Sequence, residues 1–481
     1  LKSRGPDSGG WFRSWPKPSW RPAAILLALV AAQFAGCSHR PINQPLRSVR
    51  GEDGYYFHTQ QRPDNSDDML FIVALSGGGT RAAALAYGVL EELAETRFQT
   101  PDGPRRLVDE VDGISAVSGG SVTAAAYGLY GDGIFPRLEG SFLKRNVQDS
   151  LLLRTLNPLR WPSLWSGRYG RSEVAAEYYD EILFKGATIG DIHRRPGPFV
   201  VINATDITTG ARFEFTQYQF DLLCSDVSTF PVSQAVAASS AVPAVLTPVT
   251  VNNYGGQCGN EPPGWILPTT NVFPSRVRMR ARELRSYLDS TNRPFIHLVD
   301  GGVSDNLGLR AVLDAMLALQ ANPAYAERFD LGRVKKLVVL SAYAYSAPEK
   351  DWDRREAPPG SLITGAAAAS HTLDRFSFET LELIRSEFER LQRIQGEDSG
   401  VKLYPVFVNF TNFTNPVERN FFLNIPTSFF LPNNDVDRIR DAGHRLLRQN
   451  RVYRELLTDL GIPLPDTTTD PGFIRDAGAA K

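Results

Sequence analysis

The stretch MLFIVALSGGGTRAAALAYGVLEELAET (69–96) decides the fold. Its first seven residues are a continuous apolar run, the pattern of a parallel strand covered on both faces. Three glycines, 77–79, break the run, and an alanine-rich helical pattern follows them. The same order of strand, glycine turn and helix returns at once in VDEVDGISAV (108–117) and SGGSVTAAAYGLY (118–130). Two such units in succession predict an α/β fold: a parallel-rich central sheet flanked by helices in a three-layer sandwich. Further strands are expected at 198–207, 295–300, 335–342 and 404–410, and helices over roughly 311–328, 372–395 and 434–459.

Both turns carry residues suited to acyl-transfer chemistry. In Leu75-Ser76-Gly77-Gly78-Gly79-Thr80-Arg81, glycines let the chain turn sharply and leave several N–H groups converging ahead of a helix N-terminus. Gly77-x-Gly79-x-x-Ala82 also fits a relaxed dinucleotide fingerprint, but the next strand ends in Ala-Val-Ser118 rather than a ribose-binding acid. No Gly-Lys-Ser/Thr follows, which excludes a P-loop. In Ala116-Val117-Ser118-Gly119-Gly120, Ser118 has small residues two places before and two places after it. A strained strand-to-helix turn demands that of a nucleophilic serine. Ser115 and Ser121 have Val117 and Thr123 at +2, which would crowd such a turn. A third motif, Asp300-Gly301-Gly302, closes the apolar run FIHLVD (295–300). An acid there is expected on the ligand side of a parallel sheet.

In this order, the glycine loop with its basic residue, the serine elbow and Asp-Gly-Gly resemble the patatin-like phospholipases. AVAASSAVPAVLTPV (235–249) is similar to that family's Ala-Ser-x-Ala-x-Pro helix. The resemblance covers roughly residues 69–310, with Ala116 standing where the elbow usually has Gly. It implies a Ser118–Asp300 dyad that cleaves carboxylic esters of lipids or phospholipids through an acyl-enzyme, without cofactor or metal. Asp300 would serve as general base, its pKa raised by burial. Gly78, Gly79 and Gly119 would supply the oxyanion hole, with Gly77 shaping the loop and Arg81 fixing it or meeting a substrate phosphate. The alternative is a catalytically silent, membrane-anchored lipoprotein that binds lipid or acts as a scaffold.

Composition narrows the field. The 481 residues carry 52 Lys plus Arg against 53 Asp plus Glu, so no bulk positive charge is offered to nucleic acid. The six histidines are scattered, with no HExxH and no close pair, and three cysteines are too few for a four-cysteine zinc site. A Ser-His-Asp triad would need His371 or His444, since His297 precedes Asp300 by three on one strand and points to the opposite face. Cys224 and Cys258 either pair in a disulfide or remain two buried thiols.

Residues 1–36 read as a signal peptide: a basic flank, the uncharged run PAAILLALVAAQFAG (22–36), then Cys37. Phe34-Ala35-Gly36-Cys37 resembles a bacterial lipobox, which implies lipidation at Cys37 and a protein held at the cell-envelope membrane facing the periplasm, the outer membrane favoured. Five basic residues and one acid leave with residues 1–36, so net −1 becomes −5. Residues 37–68 read as a polar tether and 69–460 as the catalytic domain. Within that domain, 141–190 is an aromatic stretch read as a cap insertion, 311–460 is a C-terminal extension, and 461–481 form a tail.

Overall fold

The computed structural model describes residues 43–49, 51–100, 103–166, 169–267, 275–321, 331–395 and 400–465. The signal segment, Cys37 and the tail beyond 465 lie outside them. The strands are β1 (Gln44–Pro45), β2 (Met69–Leu75), β3 (Arg97–Thr100), β4 (Gly103–Arg106), β5 (Val111–Val117), β6 (Phe199–Asp206), β7 (Arg212–Glu214), β8 (Ser225–Asp226), β9 (Val249–Asn252), β10 (Phe295–Asp300), β11 (Lys336–Tyr343) and β12 (Lys402–Asn409). The helices that matter to the site are α1 (Gly79–Glu95), α2 (Gly119–Tyr130), α3 (Val147–Leu156), α4 (Trp161–Leu164), α5 (Arg171–Tyr179), α6 (Val232–Ser239), α7 (Ser275–Arg285), α8 (Gly302–Asp305), α9 (Leu309–Ala321), α10 (Ser361–Gln395) and α11 (Asn433–Gln449).

Seven strands run in the order β12-β11-β2-β5-β6-β10-β9, with β7 added beside β6. The five from β12 to β6 are mutually parallel. β10 is antiparallel to β6, and β9 antiparallel to β10. The sheet is therefore mixed and mostly parallel, with helices on both faces. Alternation along β2 divides the core: Phe71, Val73 and Leu75 pack toward α1 in the larger cluster, while Ala74 joins Leu309, Leu313, Ile384 and Phe388 of α9 and α10 in the smaller one.

Three expectations change. The fragment 37–68 is docked rather than free from Asn43 onward. β1 pairs with β8, and Asn43 Nδ2 donates to Ser225 Oγ at 2.7 Å. Tyr55 is fully buried, its hydroxyl donating to the Val200 carbonyl at 2.9 Å. The polar composition of the segment concealed three adjacent aromatics, Tyr55, Tyr56 and Phe57, that supply its packing energy. The run 434–459 is two helices, α11 and a second over Arg451–Asp459, because the Asn450 side chain caps the second by accepting from Val452 N–H. The helix expected from 372 begins at Ser361, since the alanines before His371 continue the helical turn.

Cys224 and Cys258 are joined, their Cα atoms 5.5 Å apart. The bond ties the residue just before β8 to the segment beyond β9. Leu46, just past β1, donates its N–H to the Cys224 carbonyl. No described helix is long and apolar enough to cross a membrane.

Candidate active site

Ser118 sits between β5 and α2 with φ +50° and ψ −121°. Such a φ is strained for any residue other than glycine, and Lys185, Cys224 and Ala244 share it. The turn is possible because its neighbours have no bulk. A Cβ on Gly120 would lie 2.6 Å from the Ser76 carbonyl oxygen, and one on Gly119 would lie 2.0 Å from that of Gly79. Ala116, in place of the usual glycine, is not among the residues with positive φ, so its methyl group brings no backbone strain. The Ser118 N–H donates to Ser239 Oγ at 2.8 Å, and Ser239 Oγ donates to the Asn203 carbonyl at 2.6 Å.

Asp300 reaches the same level by a route the parallel-sheet rule did not foresee. Val117 is level with Asn203 on β6, and Asp300 with Ala204, the next residue. β10 runs antiparallel, so its C-terminal end comes down to the elbow halfway along β6. The end of α6 clamps it there: Asp300 N–H donates to the Ala241 carbonyl at 2.9 Å, and Gly301 N–H to that of Ser239 at 3.1 Å. Asp300 is buried, with 8% of its surface exposed. Burial pushes its pKa up to about 6, against the opposing pull of the Gly302 N–H, which donates to Oδ1 at 2.7 Å, and of the Ser118 hydroxyl facing it.

The glycine loop closes the site on its other side. Gly77 N–H donates to the Asn306 carbonyl at 2.9 Å, while among the described residues no acceptor takes the N–H of Gly78, Gly79 or Gly119. Three unused donors thus lie around the Ser118 turn. Arg81 is 3% exposed and spends its guanidinium on the protein itself: on the Ala344 carbonyl (3.1 Å), the Ile425 carbonyl (2.5 Å) and Thr427 Oγ1 (3.0 Å). Of the two roles expected for Arg81, fixing the loop is the one its contacts serve.

Several participants escaped the sequence. Ser239 lies in the Ala-Ser-rich segment, but its bond to the elbow required the fold. Ser428 bridges Gly79 and accepts the Thr80 N–H at 2.9 Å, so the C-terminal region outside the motifs holds the glycine loop. Tyr179, fully buried with a hydroxyl that finds no partner, stands in the electrostatic field of Asp300.

The histidines have other partners. His297 Nδ1 lies 3.0 Å from Thr250 Oγ1, and the exposed His371 lies 3.1 Å from Lys350 Nζ. His444 is wedged between Glu91 and Glu92 at 2.9 and 2.8 Å. Glu92, Glu95 and His444 bring ligand-type atoms within 4.8 Å of one another, a trio that sequence spacing did not reveal. Arg448 already binds both acids, at 2.7 and 3.4 Å. Burial lowers the pKa of the His444 ring, but the hydrogen bonds and charges of Glu91 and Glu92 outweigh it and push the ring up to about 9.

The aromatic stretch 141–190 divides in two. Tyr169, Tyr178 and Tyr179 are buried, whereas Leu152, Leu153, Leu156, Leu159, Trp161 and Trp165 are between 42% and 79% exposed. This apolar face on α3 and α4 adjoins the site: Ser428 Oγ donates to Gln148 Oε1 at 2.9 Å, in the first turn of α3.

The chain thus presents a mixed α/β sheet with a serine elbow facing a buried strand-end aspartate. The chain belongs to the patatin-like phospholipase family, whose model matches residues 73–313. No curated protein sequence matches it. Among solved structures it is similar to human GIVD cytosolic phospholipase A2, at 13% identity and a TM-score of 0.33, over 59% of this chain and 46% of that one. A second structure of that enzyme, in complex with methyl γ-linolenyl fluorophosphonate inhibitor and terbium chloride, matches at 13% identity and a TM-score of 0.26. It covers 48% of this chain and 35% of the other. The chain thus spans less than half the length of these structures.

Proposed function

We propose that the protein is a lipolytic acyl hydrolase that cleaves carboxylic esters of lipids or phospholipids through a Ser118 acyl-enzyme. The observation that carries this reading is the strained Ser118 facing Asp300, a carboxyl whose burial lifts it toward useful basicity. As Ser118 Oγ attacks the ester carbonyl, Asp300 takes its proton. The tetrahedral oxyanion is met by the N–H groups of Gly78, Gly79 and Gly119. Collapse expels the alcohol, which Asp300 protonates, and leaves the acyl group on Ser118. Water then attacks the acyl-enzyme, giving up a proton to Asp300, and the fatty acid departs with Ser118 restored. No step calls on a cofactor. Labelling with a serine-directed fluorophosphonate tests the reading: modification at Ser118 supports it, and an inert protein favours the silent lipoprotein.

The base must be ionised to act. With a pKa raised to about 6, kcat/KM should climb between pH 5 and 7, reach half its maximum near pH 6 and level off above. An acid limb centred near 4 would show an ordinary exposed carboxylate and remove Asp300 from the role.

Substrate would arrive across the exposed face of α3 and α4. Trp and Leu side chains beside a polar flank are the composition that settles into a lipid headgroup boundary. A Leu153→Glu/Trp165→Glu double variant should partition at least about tenfold less onto phosphatidylcholine vesicles in a sedimentation assay. Unchanged partitioning would place the lipid contact elsewhere.

We further propose that Cys37 carries acyl chains that hold the protein at the cell-envelope membrane, each buried CH2 contributing roughly 0.8 kcal/mol. The support is the basic flank, short apolar run and small residues before Cys37. Intact-mass analysis of membrane-extracted protein should find a chain beginning at Cys37 with added acyl mass. A mature chain starting elsewhere without that mass would sink the anchor and leave the hydrolase untouched.

A further inference from the structure

Asn306, the residue that follows α8, belongs to none of the three motifs, yet its carboxamide stands at the dyad. A Cβ placed on Gly77 would lie 2.5 Å from Asn306 Oδ1 and 3.4 Å from Ser118 Cβ, so these two atoms are less than about 6 Å apart. A Cβ on Gly302 would lie 3.0 Å from Asn306 Oδ1 and 3.0 Å from Asp300 Oδ1, which sets the same limit between amide and carboxyl. Two glycines of separate motifs thus leave the room that the amide occupies, and a side chain on Gly77 would displace it. Hydrogen bonds on either side fix the residue. Its carbonyl accepts from Gly77 N–H at 2.9 Å, and two residues on, the Gly308 carbonyl accepts from Ser115 Oγ at 2.7 Å. Asn306 is therefore held between the glycine loop and the strand that carries the elbow.

The side chain itself is unengaged. Among the described residues no group exchanges a hydrogen bond with its carboxamide. Asn306 is half-buried, in contrast to Tyr179, whose hydroxyl is sealed in. A carboxamide offers two N–H donors and an acceptor without carrying charge. That neutrality suits the position, because a Lys or Arg so near Asp300 would favour the carboxylate and pull its pKa back down from about 6. A reacting ester brings two oxygens. For the carbonyl oxygen there are the N–H groups of Gly78, Gly79 and Gly119. The alkoxy oxygen has to come beside Asp300 to receive its proton, which uses one of its two lone pairs. The other needs a donor once water is excluded, and Asn306 is an uncommitted donor within reach of Asp300.

We propose that Asn306 is a substrate-contacting residue whose Nδ2–H donates to the alkoxy oxygen of the bound ester and holds that oxygen where Asp300 protonates it. The assignment rests on the hydrolase reading above. Its test compares monooctanoylglycerol, whose alkoxide leaves poorly without a proton, with nitrophenyl octanoate, whose phenolate leaves unaided. Both esters give the same acyl-enzyme. In full-length Asn306→Leu, which keeps the branched shape without the donor, kcat/KM above the acid limb should fall about 100-fold for the glycerol ester and less than about fivefold for the nitrophenyl ester. Asn306→Ala, which only removes atoms from a half-buried position, should show the same split and stands in for leucine if that variant melts early. A fluorophosphonate should still label Ser118 in both variants at close to the wild-type rate, because fluoride, not an alkoxy group, departs from phosphorus. Equal loss on the two esters would give the amide to the carbonyl oxygen or to support of the loop and overturn the proposal. Wild-type rates on both would overturn it as well. A wild-type protein that neither labels nor turns over either ester would end the hydrolase reading, and this assignment with it.

Discussion

Ser118→Ala should lower ester hydrolysis by about four orders of magnitude, and Asp300→Asn by a similar factor, because a nucleophile and its base act as one unit. Neither change should unfold the protein. Alanine at 118 inherits the same φ of +50° without adding atoms, and its N–H still has Ser239 Oγ to donate to. Asparagine at 300 keeps an oxygen for the Gly302 N–H and gives up only its basicity. Release of nitrophenol from a fatty-acyl ester is the readout, with circular dichroism to verify the fold. More than a few per cent of residual activity in either variant would refute the dyad. His371→Ala and His444→Ala should stay active, since Lys350 and the Glu91–Glu92 pair are the partners of those rings. Loss of activity in either would revive a triad.

Gly119→Ala should reduce kcat by 100-fold or more, an effect on the order of 3 kcal/mol in transition-state energy. The added methyl would lie 2.0 Å from the Gly79 carbonyl oxygen, with backbone on both sides and no flexible side chain to yield. The glycine loop must move, and the N–H groups of Gly78 and Gly79 move with it. KM for a short soluble ester should change much less than kcat, because the displaced donors meet charge that develops only in the transition state. If Gly119→Ala turns over at more than a third of the wild-type rate, the oxyanion is stabilised by other groups.

The motifs that meet at the candidate site were legible because each of them is local. A serine needing small residues at −2 and +2 can be picked out from Ser115 and Ser121 by reading five letters. The continuous apolar runs at 69–75 and 295–300 mark buried strands without further context. Cys224 and Cys258 left two readings open, and only their spatial approach selects one. The polar stretch 37–68 misled because composition averages over a segment, whereas docking is decided by a few residues such as Tyr55.

By itself, then, the sequence determined that strands, glycine turns and helices alternate, and which candidate residues stand at those turns, since steric demands at a tight turn and the periods of burial act over a few neighbouring residues. Only the tertiary structure decided the rest. It set β10 antiparallel, so that Asp300 meets the elbow from the opposite direction. It brought Thr427 to Arg81 and Ser428 to Gly79 across more than 300 residues to hold the glycine loop, and it sent His444 to Glu91 and Glu92 rather than to the serine. Strand direction and long-range hydrogen bonds depend on which distant segments pack together, and no local pattern of side chains encodes that.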